Sequence, residues 1–136
     1  MIKFTVYGVP QPQGSTRAFI PKGWSRPIIT SANAKLKPWR QEVSGAALAA
    51  LERLAAGLIE PWKDPIAVSI DFYFDRPKSV KSMHKTTKPD IDKLERGVFD
   101  ALTGIIFKDD SQVVRSAMTK QFGSPARAEI SIEVLP

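Results

Sequence analysis

The chain has 136 residues, 43% hydrophobic and 25% charged, with 20 Lys+Arg against 14 Asp+Glu for a formal net charge of +6. That size and balance predict one globular domain with its own core and argue against a disordered chain. With no cysteine and one histidine, His84, the sequence excludes disulfides, thiolate nucleophiles, zinc ribbons and any multi-histidine metal cage.

No apolar run approaches the roughly 20 residues that span a bilayer, and MIKFTVYGVP lacks a signal-peptide core, so a cytoplasmic protein is expected. The cations are clustered. Residues 1–41 hold seven (Lys3, Arg17, Lys22, Arg26, Lys35, Lys37, Arg40) and no acid, and residues 76–88 hold five more, again with no acid. Such clusters either attract a polyanion, since each neutralised phosphate releases counterions, or form a solvated basic surface.

Ile2, Phe4 and Val6 alternate with Lys3, Thr5 and Tyr7, the period of a strand with one buried face. Residues 10–27, PQPQGSTRAFIPKGWSRP, fit no periodic element and are expected to form a long loop. Its Arg17, Phe19, Lys22, Trp24 and Arg26 suit phosphates and unpaired bases, or the two aromatic rings pack on the core. A helix is predicted over 38–57, with Pro38 in its first turn, Lys37 outside it and Gly57 as a stop; the alternative is an upstream turn from Ser31 with a break or kink at Pro38. Its expected stripe is Val43, Ala47, Ala50, Leu51 and Leu54.

A strand is expected at Ile66–Phe74, then a basic loop over 76–88, then a helix over Ile91–Leu102 with Leu94, Val98, Phe99 and Leu102 inward and Gly104 ending it. Strands at Ser111–Phe122 and Ala128–Val134 close the chain. The order β-loop-α-β-loop-α-β-β describes an α/β fold, a mixed sheet with helices mainly on one face.

Acids gather around the second helix: Asp90, Asp92, Glu95, Asp109 and Asp110. Asp90 and Asp92 point the same way if the chain enters the helix extended. If Ile105–Phe107 return beside the helix start, one of Asp109 and Asp110 reaches them. Three close carboxylates need a raised pKa or a cation, and oxygen-only ligation selects a hard ion, Mg²⁺ or Mn²⁺. Each acid also has a plain structural use. Asp90 or Asp92 suits an N-cap, Asp109-Asp110 a polar turn, and Asp92 with Arg96 a surface ion pair.

The stretches Lys88-Pro89-Asp90-Ile91-Asp92-Lys93-Leu94-Glu95-Arg96, Phe99-Asp100-Ala101-Leu102 and Asp109-Asp110-Ser111-Gln112-Val113 closely resemble the RusA family of Holliday junction resolvases. The resemblance implies a single endonuclease domain over 1–136, acting as a homodimer that nicks opposing strands of four-way DNA junctions with Mg²⁺, in a bacterial or phage setting. It assigns metal-binding acids to Asp90, Asp92 and Asp110 and the family's catalytic lysine to Arg96. Two positions depart from the pattern: Lys93 stands where Asn is usual, and Arg96 where Lys is usual. Arginine keeps the charge but cannot release a proton. Arg17, Lys22, Arg26, Lys81, Lys85, Lys88 and Lys93 are the expected DNA contacts. The alternative is a non-catalytic protein that holds branched DNA with the same basic loops.

Overall fold

The computed structural model describes residues 1–14, 16–31, 33–54 and 60–136, with 16–19 and 28–31 described at the backbone only. Strand β1 (Ile2–Tyr7) leads to a hairpin of β2 (Thr16–Phe19) and β3 (Ile28–Ser31), and then to helix α1 (Leu36–Leu54). Strand β4 (Ile66–Phe74), helix α2 (Ile91–Leu102), a 3-10 turn (Asp110–Gln112) and strands β5 (Val113–Phe122) and β6 (Arg127–Val134) follow. The main sheet runs β1-β6-β4-β5, with β4 and β5 parallel and the other neighbours antiparallel. It is the expected mixed sheet.

Period-2 patterning does what it promises. Phe4, Ile130 and Ile70 lie side by side across three strands, as do Val6, Ala128 and Phe72, and all are buried. Leu94, Val98 and Leu102 of α2 and Val43, Ala47 and Leu51 of α1 close over this face and share its core. Each Val, Leu, Ile or Phe among them contributes about 1.5–3 kcal/mol by leaving water.

Three expectations change. The stretch 10–27 is not one long loop: β2 pairs with β3 around a turn in which Trp24 N–H donates to the Pro21 carbonyl and Gly23 takes φ +86°. Helix α1 starts at Leu36, so Lys37 is helical despite the proline after it. Pro38 sits where a missing N–H costs nothing, and burial of Leu36 and Trp39 outweighs the steric bias. The buried stripe therefore sits towards the start of the helix, and Leu54 is 59% exposed. The expected stop at Gly57 falls outside the described residues.

The loop after β4 is partly tied down. Phe122 N–H donates to the Met83 carbonyl and Lys85 N–H to the Lys120 carbonyl, so 83–85 runs along the last residues of β5. On the other side of α2, Gln13 N–H donates to the Lys93 carbonyl at 2.9 Å. A Cβ on Gly97 would sit 3.1 Å from the Gln11 carbonyl oxygen, so glycine there lets residues 11–13 cross α2 closely.

Candidate functional site

Helix α2 begins where these two segments meet. Asp90 occupies its N-cap position with extended backbone (φ −69°, ψ 141°), yet its side chain makes no capping hydrogen bond. The carboxylate lies 3.7 Å from Lys93 Nζ instead, a half-exposed pair one turn apart. Asp92 is in the first turn and exposed, and no ion pair to Arg96 forms among the described residues. Two carboxylates thus stand at the positive end of a helix, neither spent on capping it.

The surroundings are cationic. Lys120 was not singled out in the sequence because Lys in an alternating strand reads as an outward residue. Register places it beside the buried Phe72, on the helix-covered face of β5. Its ammonium donates to the carbonyls of Thr87 (2.9 Å) and Pro89 (2.8 Å), holding the chain that enters Asp90. The available signal was position: Met118, Lys120 and Phe122 share one face of β5. Lys85 lies over the rings of Phe74 (5.2 Å) and Phe122 (5.6 Å) and donates to Thr87 Oγ1. Lys88 and Lys93 line the same cleft, with exposed His84 at its far edge.

The other expected DNA contacts lie further out. Lys81 is exposed in the loop before the cleft, and Lys22 and Arg26 are exposed at the β2–β3 tip. Arg17 is on β2, with its side chain outside the description. Arg96 is exposed one turn beyond Asp92.

Asp109 and Asp110 are elsewhere. The segment Ile105–Phe107 does not return to the start of α2. Trp62 N–H donates to the Ile106 carbonyl and Lys108 N–H to the Trp62 carbonyl, drawing the segment to the chain just before β4. Burial of Ile106 and Phe107 fixes it there. Val113 starts β5 opposite Ile66, whereas Lys120, which touches Pro89, lies opposite Phe72. Seven strand residues at about 3.3 Å each put these ends on the order of 20 Å apart. The expected gathering of three carboxylates within one chain is therefore not found. Among the described residues no group of three or more His, Asp or Glu side chains is arranged to hold a metal.

The two acids at this end also differ. Asp109 accepts from Ser111 N–H at 2.9 Å, while its own N–H donates to Gln112 Oε1 at 2.8 Å. Hydrogen bonding from Ser111 holds its carboxyl below the usual value. Gln112 Nε2 donates to the carbonyls of Trp62 and Asp64, latching the turn to the start of β4. Asp109 is the polar-turn acid. Asp110 is exposed and shares a side-chain hydrogen bond with Asp109, which also helps hold the Asp109 carboxyl low; among the described residues it forms no ion pair.

Fold and cleft together describe a small α/β domain with a carboxylate pair set among lysines. The chain belongs to the RusA endodeoxyribonuclease family, whose pattern matches residues 9–133. It is also 36% identical over 143 residues to the uncharacterized protein YqaN of Bacillus subtilis (strain 168), covering 96% of this chain and 94% of that protein. No helix among the described residues is long and apolar enough to cross a membrane.

Proposed function

We propose that this chain is a Mg²⁺-dependent endonuclease that resolves four-way (Holliday) DNA junctions by paired symmetric nicks, working as a cytoplasmic homodimer in recombination and repair. The observation that carries the reading is the unspent pair Asp90 and Asp92, inside a lysine-lined cleft of a RusA-family chain. A purely structural role would use the N-cap carboxylate on the helix. Here it is left facing solvent and cations.

The donor set fits Mg²⁺, which is usually held by one or two carboxylates together with substrate phosphate and water. Asp90 and Asp92 are the ligands of this chain. When bound, the ion would neutralise phosphate oxygens and lower the pKa of a water. The protein's own part is placement. Lys120 fixes the backbone before Asp90, and Lys85 and Lys88 hold the incoming phosphates. Arg96, unpaired with Asp92, offers a bidentate cation to the reacting phosphate without giving up a proton.

Asp110 joins this site only from a second copy. Support comes from β5, an edge strand with Val114 65% exposed and, among the described residues, no strand partner besides β4 over its first residues. A two-fold axis across that edge runs two copies of β5 antiparallel. Each copy's 3-10 turn then approaches the other's Lys120 end. Such a C2 pair presents two equivalent sites to a substrate that is itself two-fold symmetric.

A synthetic four-way junction, assayed with and without Mg²⁺, tests the reading. The wild type is expected to nick opposing strands only with the metal. Asp92→Asn should lower nicking by more than the roughly 100-fold that losing an outer partner costs a metal site. Junction binding in EDTA should persist or tighten, because a negative charge facing phosphate is gone. Binding without any metal-dependent nicking by the wild type would identify a protein that only holds branched DNA.

A further inference from the structure

Two hollows meet at the start of α2 and share Asp90 and Lys85 as a common wall. One contains Asp92 and Lys120 and belongs to the site above. The other, about 460 Å³, is lined by Asp90 but not Asp92, and no step proposed so far uses its apolar part. Its walls are Val9, Pro10, Pro12 and Phe74, and its rim carries Lys85, Lys88 and Lys93.

We infer that this second hollow receives an unstacked nucleobase of the strand being cut, next to the phosphate that would meet a cation held by Asp90 and Asp92. The inference rests on the proposed function and names the part of the substrate that the cleft grips. Three observations support it. The volume lies within the roughly 300–1,000 Å³ of small-ligand sites, and Val9, Pro10, Pro12 and Phe74 give it an apolar lining suited to a base.

The rim is cationic, which pairs the hollow with a ligand carrying phosphate on its outside and an apolar face within. Asp90 ties the two hollows together, so a nucleotide spanning them puts its phosphate at the acids and its base among the prolines. The wall is also held in place beforehand. Asn33 Nδ2 donates to the Pro12 carbonyl (3.1 Å) and to Gln11 Oε1 (3.2 Å), and Gln13 N–H holds the Lys93 carbonyl. A pocket that costs nothing to form can repay the unstacking of a base, which is cheapest where a junction already interrupts the stack.

The test couples the base to the pocket. Four-way junctions carrying a single abasic nucleotide at each position flanking the nick are compared with the intact junction. Substrates are nicked by the wild type and by Val9→Trp, which fills the hollow from an exposed position (53%) on its wall. Removing the base at one position should slow wild-type nicking about 5- to 150-fold, the range of one stacked base. Val9→Trp should slow nicking of the intact junction similarly, and the abasic substrate should cost that variant nothing more.

Unfolding temperature checks that the variant is intact. The abasic series on the wild type stands on its own should the variant misfold. Full nicking of every abasic junction by the wild type, or penalties that simply multiply, would overturn the inference while leaving the nuclease reading intact. No nicking of any junction by the wild type would overturn both.

Discussion

Two pairs of aspartates flank α2 along the chain, one at its start and one on the 3-10 turn beyond its far end, and the pairs are built differently. At the N-terminal end, Asp90 sits at the cap position without capping, and Asp92 faces solvent. At the far end, Asp109 caps a 3-10 turn through Ser111, and Gln112 latches that turn to the chain before β4. One acid there is claimed by a backbone N–H, and its exposed neighbour Asp110 bonds only to that acid's side chain. The difference teaches that adjacency in sequence does not sort acids by role; what sorts them is whether a backbone N–H has already claimed the carboxylate. It also gives the distance problem its solution. Acids on the order of 20 Å apart cannot share one ion within a chain, whereas the proposed two-fold axis would bring Asp110 of one copy towards Asp90 and Asp92 of the other.

The sharpest way to break that comparison is to separate its two ends onto different chains. Asp92→Asn and Asp110→Asn should each be inactive on a four-way junction. Mixed and allowed to exchange subunits, they should recover nicking. A mixed dimer has one site in which both ends are intact and one in which both are lost. The recovered product should therefore be a singly nicked junction at up to about a quarter of the wild-type rate, since half the dimers are mixed and each has one of two sites. A silent mixture would mean that Asp110 serves its own chain or serves no site.

The next effect concerns what holds the N-terminal pair in place. Lys120→Met removes the ammonium from the Thr87 and Pro89 carbonyls but keeps the side chain's length against Phe72. Nicking is expected to fall about 10- to 100-fold, as for other groups that orient metal ligands. The loss should be a higher half-saturating Mg²⁺ concentration, with far-UV circular dichroism unchanged. An unchanged Mg²⁺ requirement would make Lys120 a packing residue only.

Lys120 also marks the boundary of what the sequence makes legible. Strand β4 and helix α2 are legible in the sequence because their signals are local: five alternating apolar residues, an Asp entry and a Gly104 stop at φ +85°. The pairing of β2 with β3 was not, since a four-residue strand beside Pro and Gly has no period to read. Lys120, Gln112 and the crossing of residues 11–13 over Gly97 acquire meaning only from strand register and from segments far apart in the chain. The pair Asp90 and Asp92 was readable as a unit because it is local. The placement of Asp110 was not, because the burial of Ile106 and Phe107 decided it.

The smallest effect is the finest probe of the N-terminal pair. Lys93 lies 3.7 Å from Asp90, at a position where the family's usual residue is Asn. With both side chains about half exposed, such a pair is worth about 0–1 kcal/mol, and a divalent ion binding Asp90 must compete with it. Lys93→Asn removes that competition, so the Mg²⁺ concentration giving half-maximal nicking should fall by up to about fivefold. The same change removes a cation from the rim of the cleft, so junction affinity should weaken and its salt slope flatten by about one. The two effects have opposite signs and separate in one titration series: metal dependence at saturating junction, and salt dependence of binding in EDTA. A higher Mg²⁺ requirement in Lys93→Asn would mean that the lysine's charge helps the phosphate more than it hinders the metal, and that Asp90 is the weaker ligand of the pair.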